Sequence, residues 1–174
     1  MSIFNRFNTL VAVFLVLAIS LTLAGCKIYS FSGANIPADI KTVQIDFFPN
    51  RANNGPPALA QTFTDRLKLK FISEGNLKQV TSDGDLYFKG YISGYTFTNM
   101  APSAGVTSSL NRLTISVTVD FENHKTEKDK WSQTFSRYAE IPASEDIFTV
   151  ETRLIDEINK QLVDDIFNKA LVKW

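Results

Sequence analysis

Cysteine and histidine are almost missing from this chain. Cys26 is the only cysteine and His124 the only histidine among 174 residues. One thiol cannot close a disulfide within its own chain and cannot build a Cys-ligated metal site. His124 lies in a polar run, Glu122-Asn123-His124-Lys125-Thr126-Glu127-Lys128-Asp129. There it reads as a solvated loop residue rather than a general base. No serine occupies a nucleophile-elbow pattern, and no glycine-rich phosphate loop follows a strand. Asp83-Gly84-Asp85 reads as a tight turn, because Leu86, Tyr87 and Phe88 stand where a cation loop would place its later ligands. Net charge is missing too: 18 Lys+Arg balance 18 Asp+Glu. A chain without positive excess lacks the electrostatic footprint of a nucleic-acid binder. These absences argue against an enzyme and call for no cofactor and no metal.

A membrane-spanning run is also absent. Spanning takes ~20 apolar residues, and the longest candidate, residues 10–23, is short of that. What is there has another logic. One cation, Arg6, precedes the apolar run, and the small residues Ala24 and Gly25 follow it. These are the parts of a secretory signal peptide. They end on Leu23-Ala24-Gly25-Cys26, which resembles the lipobox of bacterial lipoproteins. That resemblance implies removal of residues 1–25, acylation of Cys26 and a mature chain anchored to a membrane rather than spanning it. Each buried CH₂ contributes roughly 0.8 kcal/mol, so several acyl chains give stable anchoring. Residues 26–38, rich in Ser, Gly and Asn, then read as a lipidated tether, and 39–174 as a single domain. Lys27, where an Asp would hold a lipoprotein at the inner membrane, leans towards the outer membrane.

The domain shows clear periodicities. In residues 41–47, Val43, Ile45 and Phe47 alternate with polar residues, which predicts a half-buried strand. Residues 49–57 are a loop by composition. Leu59, Phe63, Leu67 and Phe71 recur every four residues and predict a helix over 57–74, ended by Gly75-Asn76. A short piece at 77–80 has no assignable period. A long strand is expected at 85–99, with Leu86, Phe88 and Ile92 on one face and Tyr87, Tyr91, Tyr95 and Phe97 on the other. Residues 100–109 form a Pro/Ser/Gly/Ala loop. Leu113, Ile115, Val117, Val119 and Phe121 alternate with Arg112, Thr114, Ser116, Thr118 and Asp120, the cleanest amphipathic strand in the chain. A third long strand at 131–141 turns Trp131 and Phe135 inward. Leu154, Ile155, Ile158, Leu162, Ile166 and Phe167 hold the helical period over 146–171.

The order is β-α-β-β-β-α. Long consecutive strands joined by short loops favour an antiparallel meander. The expected fold is α+β: a two-layer sandwich with a mostly antiparallel four-stranded sheet and two helices on one face. Phe63, Leu67, Ile158 and Leu162 should then pack on Ile115, Val117 and Phe135.

The sheet face away from the helices carries an aromatic stripe. Tyr87, Tyr91 and Tyr95 interleave there with Lys89, as cross-strand aromatic pairing would have it. The same stripe would also serve as a contact surface for a partner or an amphiphile. Lys89, Arg112 and Arg137 are candidate contacts for a phosphorylated lipid head group, with Arg112 first.

Several stretches together carry a family resemblance. They are Cys26-Lys27-Ile28-Tyr29-Ser30-Phe31-Ser32-Gly33, Ile45-Asp46-Phe47-Phe48-Pro49-Asn50, Gly84-Asp85-Leu86, Gly90-Tyr91-Ile92-Ser93-Gly94-Tyr95, Leu110-Asn111-Arg112-Leu113-Thr114-Ile115, and the run from Gln161 to Ala170 with Trp174. The chain resembles the lipopolysaccharide-assembly lipoprotein family LptE over nearly all of the expected mature length. The resemblance implies a non-enzymatic protein of the outer membrane. It would sit as a plug in the lumen of the β-barrel LptD, help that barrel fold and assist lipopolysaccharide delivery to the outer leaflet. Lipopolysaccharide is then a possible direct ligand. A generic envelope lipoprotein that binds another protein or an amphiphile is the competing reading.

Overall fold

The computed structural model describes residues 36–100, 109–126 and 129–171. The expected signal peptide, Cys26, most of the tether, Pro102 and Trp174 lie outside the described residues. Seven elements follow in order: β1 (Thr42–Ile45), α1 (Leu59–Ser73), β2 (Lys78–Val80), β3 (Leu86–Met100), β4 (Leu110–Asn123), β5 (Lys130–Pro142) and α2 (Ile147–Leu171). The α+β class and the two helices are as expected. The sheet differs: it has five strands, not four, in the order β2-β1-β3-β4-β5, and it is mixed. β3, β4 and β5 form the antiparallel meander, whereas β1 pairs in parallel with both β2 and β3. The extra strand is the short piece at Lys78–Val80. β1, α1 and β2 thus make a βαβ unit, with α1 as the crossover that parallel neighbours require.

Local chemistry explains the helix ends. α1 stops where Asn76 takes a left-handed φ of 51°. The Leu77 amide then bonds back to the Phe71 carbonyl at 3.2 Å, closing the last turn in the manner of a Schellman cap. α2 begins after Asp146, whose Oδ1 accepts the Phe148 amide at 3.0 Å. That supplies a partner to a donor the helix cannot use internally.

The core lies between the helices and one sheet face. Phe63, Leu67, Ile158, Leu162, Ile115 and Val117 are fully buried and Phe135 nearly so, as the periodicities require. A line of rings crosses the layers: Phe167 meets Phe71, Phe71 meets Phe88, Phe88 meets Phe121, and Phe121 stacks on Trp131. Centroid separations of 4.6–5.1 Å fall in the range where tilted and stacked aromatic pairs attract. Across the top of the helices, Arg66 pairs with Asp156 and Lys70 with Asp164 at 2.6 Å.

Two details depart from simple alternation. Phe47 is 53% exposed, and Phe48 takes the buried place instead. Alternation ends with β1, and the Phe48 amide bonds to Thr64 Oγ1 at 3.1 Å, which draws that residue under α1. Gly90 makes room for it. A Cβ there would stand 2.1 Å from the Thr118 carbonyl oxygen and 2.6 Å from Phe48 Cε1.

Asp85 joins β1 to β3. Its Oδ2 accepts the Lys41 and Thr42 amides at 2.8 and 2.9 Å, its own amide donates to Thr42 Oγ1, and Lys125 Nζ stands 3.0 Å away. Burial alone would raise the Asp85 pKa. The bonds from Lys41, Lys125 and Thr42 outweigh it and hold the carboxyl well below the usual carboxylate range. The turn at 83–85 is therefore a structural clamp, and His124 belongs to it: Nδ1 lies 2.7 Å from the Gly84 carbonyl oxygen.

One buried group is left unpaired. Asn159, on the inner face of α2, is fully buried, and neither Oδ1 nor Nδ2 has a hydrogen-bond partner among the described residues.

Candidate functional site

The uncovered face of the sheet is built by the even-numbered positions of β4 and their neighbours. Opposite Thr114, Ser116 and Thr118 stand Tyr138, Ser136 and Thr134 on β5. Opposite Thr114 and Ser116 on the other side stand Thr96 and Gly94 on β3. Hydroxyls meet across the strands: Ser116 with Ser136 at 3.0 Å and Thr118 with Thr134 at 2.9 Å. The middle of this face is polar and uncharged.

The tyrosine stripe does not run its full length. Ser93 is an extra residue between the pairs Ile92–Val117 and Gly94–Ser116, a β-bulge that exchanges the faces beyond it. Tyr95 and Phe97 therefore stand opposite Ile115 and Leu113, on the helix side, while Tyr87 and Tyr91 stay on the open side. The Tyr95 hydroxyl donates to Glu151 on α2 at 2.5 Å. Burial and that carboxylate push its pKa up. Tyr87 donates to Asp46 at 2.6 Å, and the bond, with burial, raises its pKa to about 12. Tyr91 carries the Arg51 guanidinium 4.4 Å from its ring centre. So each tyrosine of the expected stripe has a structural occupation, and sequence parity alone could not reveal the bulge.

The three candidate cations are also separated. Arg112 lies on the open face near the end of the β3–β4 hairpin. It bonds Glu140 through Nε at 2.9 Å and a terminal nitrogen at 2.5 Å, and sits 4.1 Å over the Tyr138 ring. Lys89 is on the same face but opposite Asp120, eight positions along β4 from Arg112. That is about 27 Å at ~3.4 Å per residue. It pairs with Glu122 at 3.4 Å, which with Lys130 lowers the Glu122 pKa. Arg137 is on the other side of the sheet, where Nε and a terminal nitrogen grip Asp165 of α2 at 2.6 and 2.7 Å. That fork raises its pKa. The fold therefore brings none of the three together. A residue the sequence left unmarked, Phe148, is 84% exposed at the start of α2.

The fold has solved relatives at low sequence identity. A protein from Xanthomonas campestris superposes with a TM-score of 0.52 at 12% identity, covering 76% of this chain and 84% of that one. A hypothetical protein from Chlamydia trachomatis gives 0.51 at 9% identity, covering 77% and 99%. A minor lipoprotein from Acinetobacter baumannii gives 0.47 at 16% identity, covering 75% and 95%. Among curated proteins none matches the chain. A family model described as LptE, lipopolysaccharide-assembly, matches residues 40–170. That span runs from just before β1 to the last turn of α2 and takes in the whole sheet and both helices, so the chain belongs to the LptE lipopolysaccharide-assembly family.

Proposed function

We propose that this protein is an outer-membrane lipoprotein, acylated at Cys26, that fills the lumen of an LptD-type β-barrel. In that place it helps the barrel assemble and assists lipopolysaccharide transport to the outer leaflet. The family match over residues 40–170 carries the reading. Two features of the chain support it. Leu23-Ala24-Gly25-Cys26 has the form of a lipobox. The middle of the open sheet face is polar, which suits a broad wet contact inside a lumen better than one apolar patch would.

Within this reading Arg112 stays first among candidate contacts for a phosphorylated head group, because it stands near the hairpin end with one aromatic neighbour. Such a ligand must compete with Glu140 for the guanidinium. Lys89 and Arg137 would act apart from it.

Depletion tests the reading directly. Cells losing this protein should lose correctly assembled barrel and become sensitive to large apolar antibiotics. The barrel should also co-purify with the protein from detergent-solubilised outer membrane. Normal barrel levels with an intact permeability barrier would overturn the reading and leave a generic binding lipoprotein. Cys26→Ser should abolish acylation and the associated cleavage, read by mass spectrometry of the mature N-terminus.

A further inference from the structure

Two dipeptides in this chain place a short acid or amide side chain directly before a glycine, Asn54-Gly55 and Asp83-Gly84. In such a pair the glycine nitrogen can attack the preceding side-chain carbonyl carbon, because no Cβ hinders its approach. The fold treats the two pairs differently. Gly84 is buried, and a Cβ there would stand 2.6 Å from the Gln44 amide nitrogen. Its carbonyl oxygen lies 2.7 Å from His124 Nδ1, and Asp85 clamps the next residue to β1. The peptide after Asp83 is thus fixed.

Asn54 and Gly55 lie in the loop between β1 and α1, and both are exposed. Gly55 has a left-handed φ of 107°. Neither its amide nor the Asn54 side chain has a hydrogen-bond partner among the described residues. The attacking nitrogen and the carbon it must reach are therefore free of competing bonds. Asn54 serves the loop through its backbone: its carbonyl oxygen accepts Asn50 Nδ2 at 3.3 Å, and Asn50 Oδ1 accepts the Ala52 amide at 2.9 Å. Gly55 lies against the Tyr95 ring, where a Cβ would come within 3.1 Å.

We propose that Asn54 is a site of spontaneous covalent modification, at which the side-chain amide converts to aspartate and isoaspartate. The Gly55 nitrogen gives its proton to solvent hydroxide and bonds to Asn54 Cγ. The Cγ–Nδ2 bond breaks, and the amide nitrogen leaves as ammonia after taking a proton from water. Water then opens the cyclic imide at one of its two carbonyls. Opening at Cγ gives aspartate. Opening at the former main-chain carbonyl routes the backbone through the side chain and gives isoaspartate. The sum is asparagine plus water to carboxylate plus ammonium, with no oxidant or cofactor. Asparagine is among the thermolabile residues. Either product adds a negative charge to a chain whose formal charges cancel. The isoaspartyl product also inserts a methylene into the main chain, which displaces the carbonyl that Asn50 holds and the glycine that covers Tyr95. This inference goes beyond the barrel reading and does not depend on it.

Peptide mapping of the purified protein, kept in warm, mildly alkaline buffer, tests it. The peptide containing Asn54 should split into aspartyl and isoaspartyl forms, with ammonia released in equal amount. In heavy-oxygen water each new carboxyl should take up label. A synthetic peptide of residues 50–58 sets the rate without a fold. The folded chain should react within about tenfold of it, as an exposed, unbonded loop allows. Asn54→Gln, which would have to close a larger ring, should stay intact and keep the anion-exchange elution of fresh protein. A folded chain slower than that tenfold limit overturns the proposal. So does isomerisation at Asp83 as fast as conversion at Asn54, or loss of the native circular dichroism spectrum before Asn54 reacts.

Discussion

Replacing Asn159 by leucine should make this protein more stable. Asn159 is fully buried on α2 and its amide has no partner among the described residues. Leaving a buried amide unpaired costs about 1–3 kcal/mol on protein scales. Leucine removes that cost, adds apolar burial of about 1 kcal/mol and is the better helix former by a few tenths. Against this stands misfit in a close-packed layer, about 1–2 kcal/mol. The net expectation is a gain of about 2 kcal/mol. For a unit of about 140 residues, with an unfolding entropy near 2.1 cal/mol/K per residue, that raises Tm by about 7 °C. Urea denaturation of the unacylated chain should show a higher midpoint at unchanged slope. Asn159→Asp should fall the other way, because a buried charge without a partner is more costly still. A loss of more than about 1 kcal/mol in Asn159→Leu would refute the reasoning and mean that the amide is satisfied in solution, as by a buried water.

Other outcomes follow from the same structure. Gly90→Ala should destabilise by about 1–3 kcal/mol, through the clash with the Thr118 carbonyl and the Phe48 ring, read by thermal unfolding. The Asp85 pKa is lowered in the folded protein, so its stabilisation is present above the unfolded value of ~3.9 and lost as pH falls towards the folded one. Asp85→Asn should flatten the stability–pH curve in that acid window and cost about 1–3 kcal/mol at neutral pH. Tyr87 runs the opposite way. Its pKa of about 12 favours the neutral phenol, so that stabilisation is full below the unfolded pKa of ~10 and fades as pH rises from ~10 towards ~12. Tyr87→Phe should remove the alkaline step. Deleting Ser93 removes the extra residue and should leave Gly94 opposite Ser116 and Tyr95 opposite Ile115, so the Tyr95–Glu151 bond persists and thermal unfolding should show only a small change in melting temperature.

Much of the fold was legible because the burial pattern is regular. β4 alternates without a break, and both helices keep their apolar spacing over several turns, so burial on one side dictated the element. The rest depended on partners that periodicity does not encode. Lys78–Val80 is too short to display a period, and the parallel pairing of β1 is set by α1 crossing over. Ser93 reads as one more residue in an alternating strand, and only the register against Val117 and Ser116 exposes it as extra. The exchange of Phe47 for Phe48 depends on the Thr64 hydroxyl and the space above Gly90. The cations were visible, but their separation over two faces and about 27 Å of strand belongs to the register alone.

The parallel βαβ unit has a consequence for the order in which the chain acquires structure. In the meander, Glu122 pairs with Lys130 only eight residues on, whereas Val43 must wait for Leu86, 43 residues on. Local pairings close early and distant ones late, since the entropy of loop closure precedes their reward. The C-terminal half can therefore nucleate alone, while the βαβ unit has only the short β1–β2 pairing of its own until β3 exists. During synthesis or export from the N-terminus, the first-formed third of the domain travels with one edge of β1 open. That interval ends only when β3 has emerged, which makes this segment the natural client of a holding chaperone.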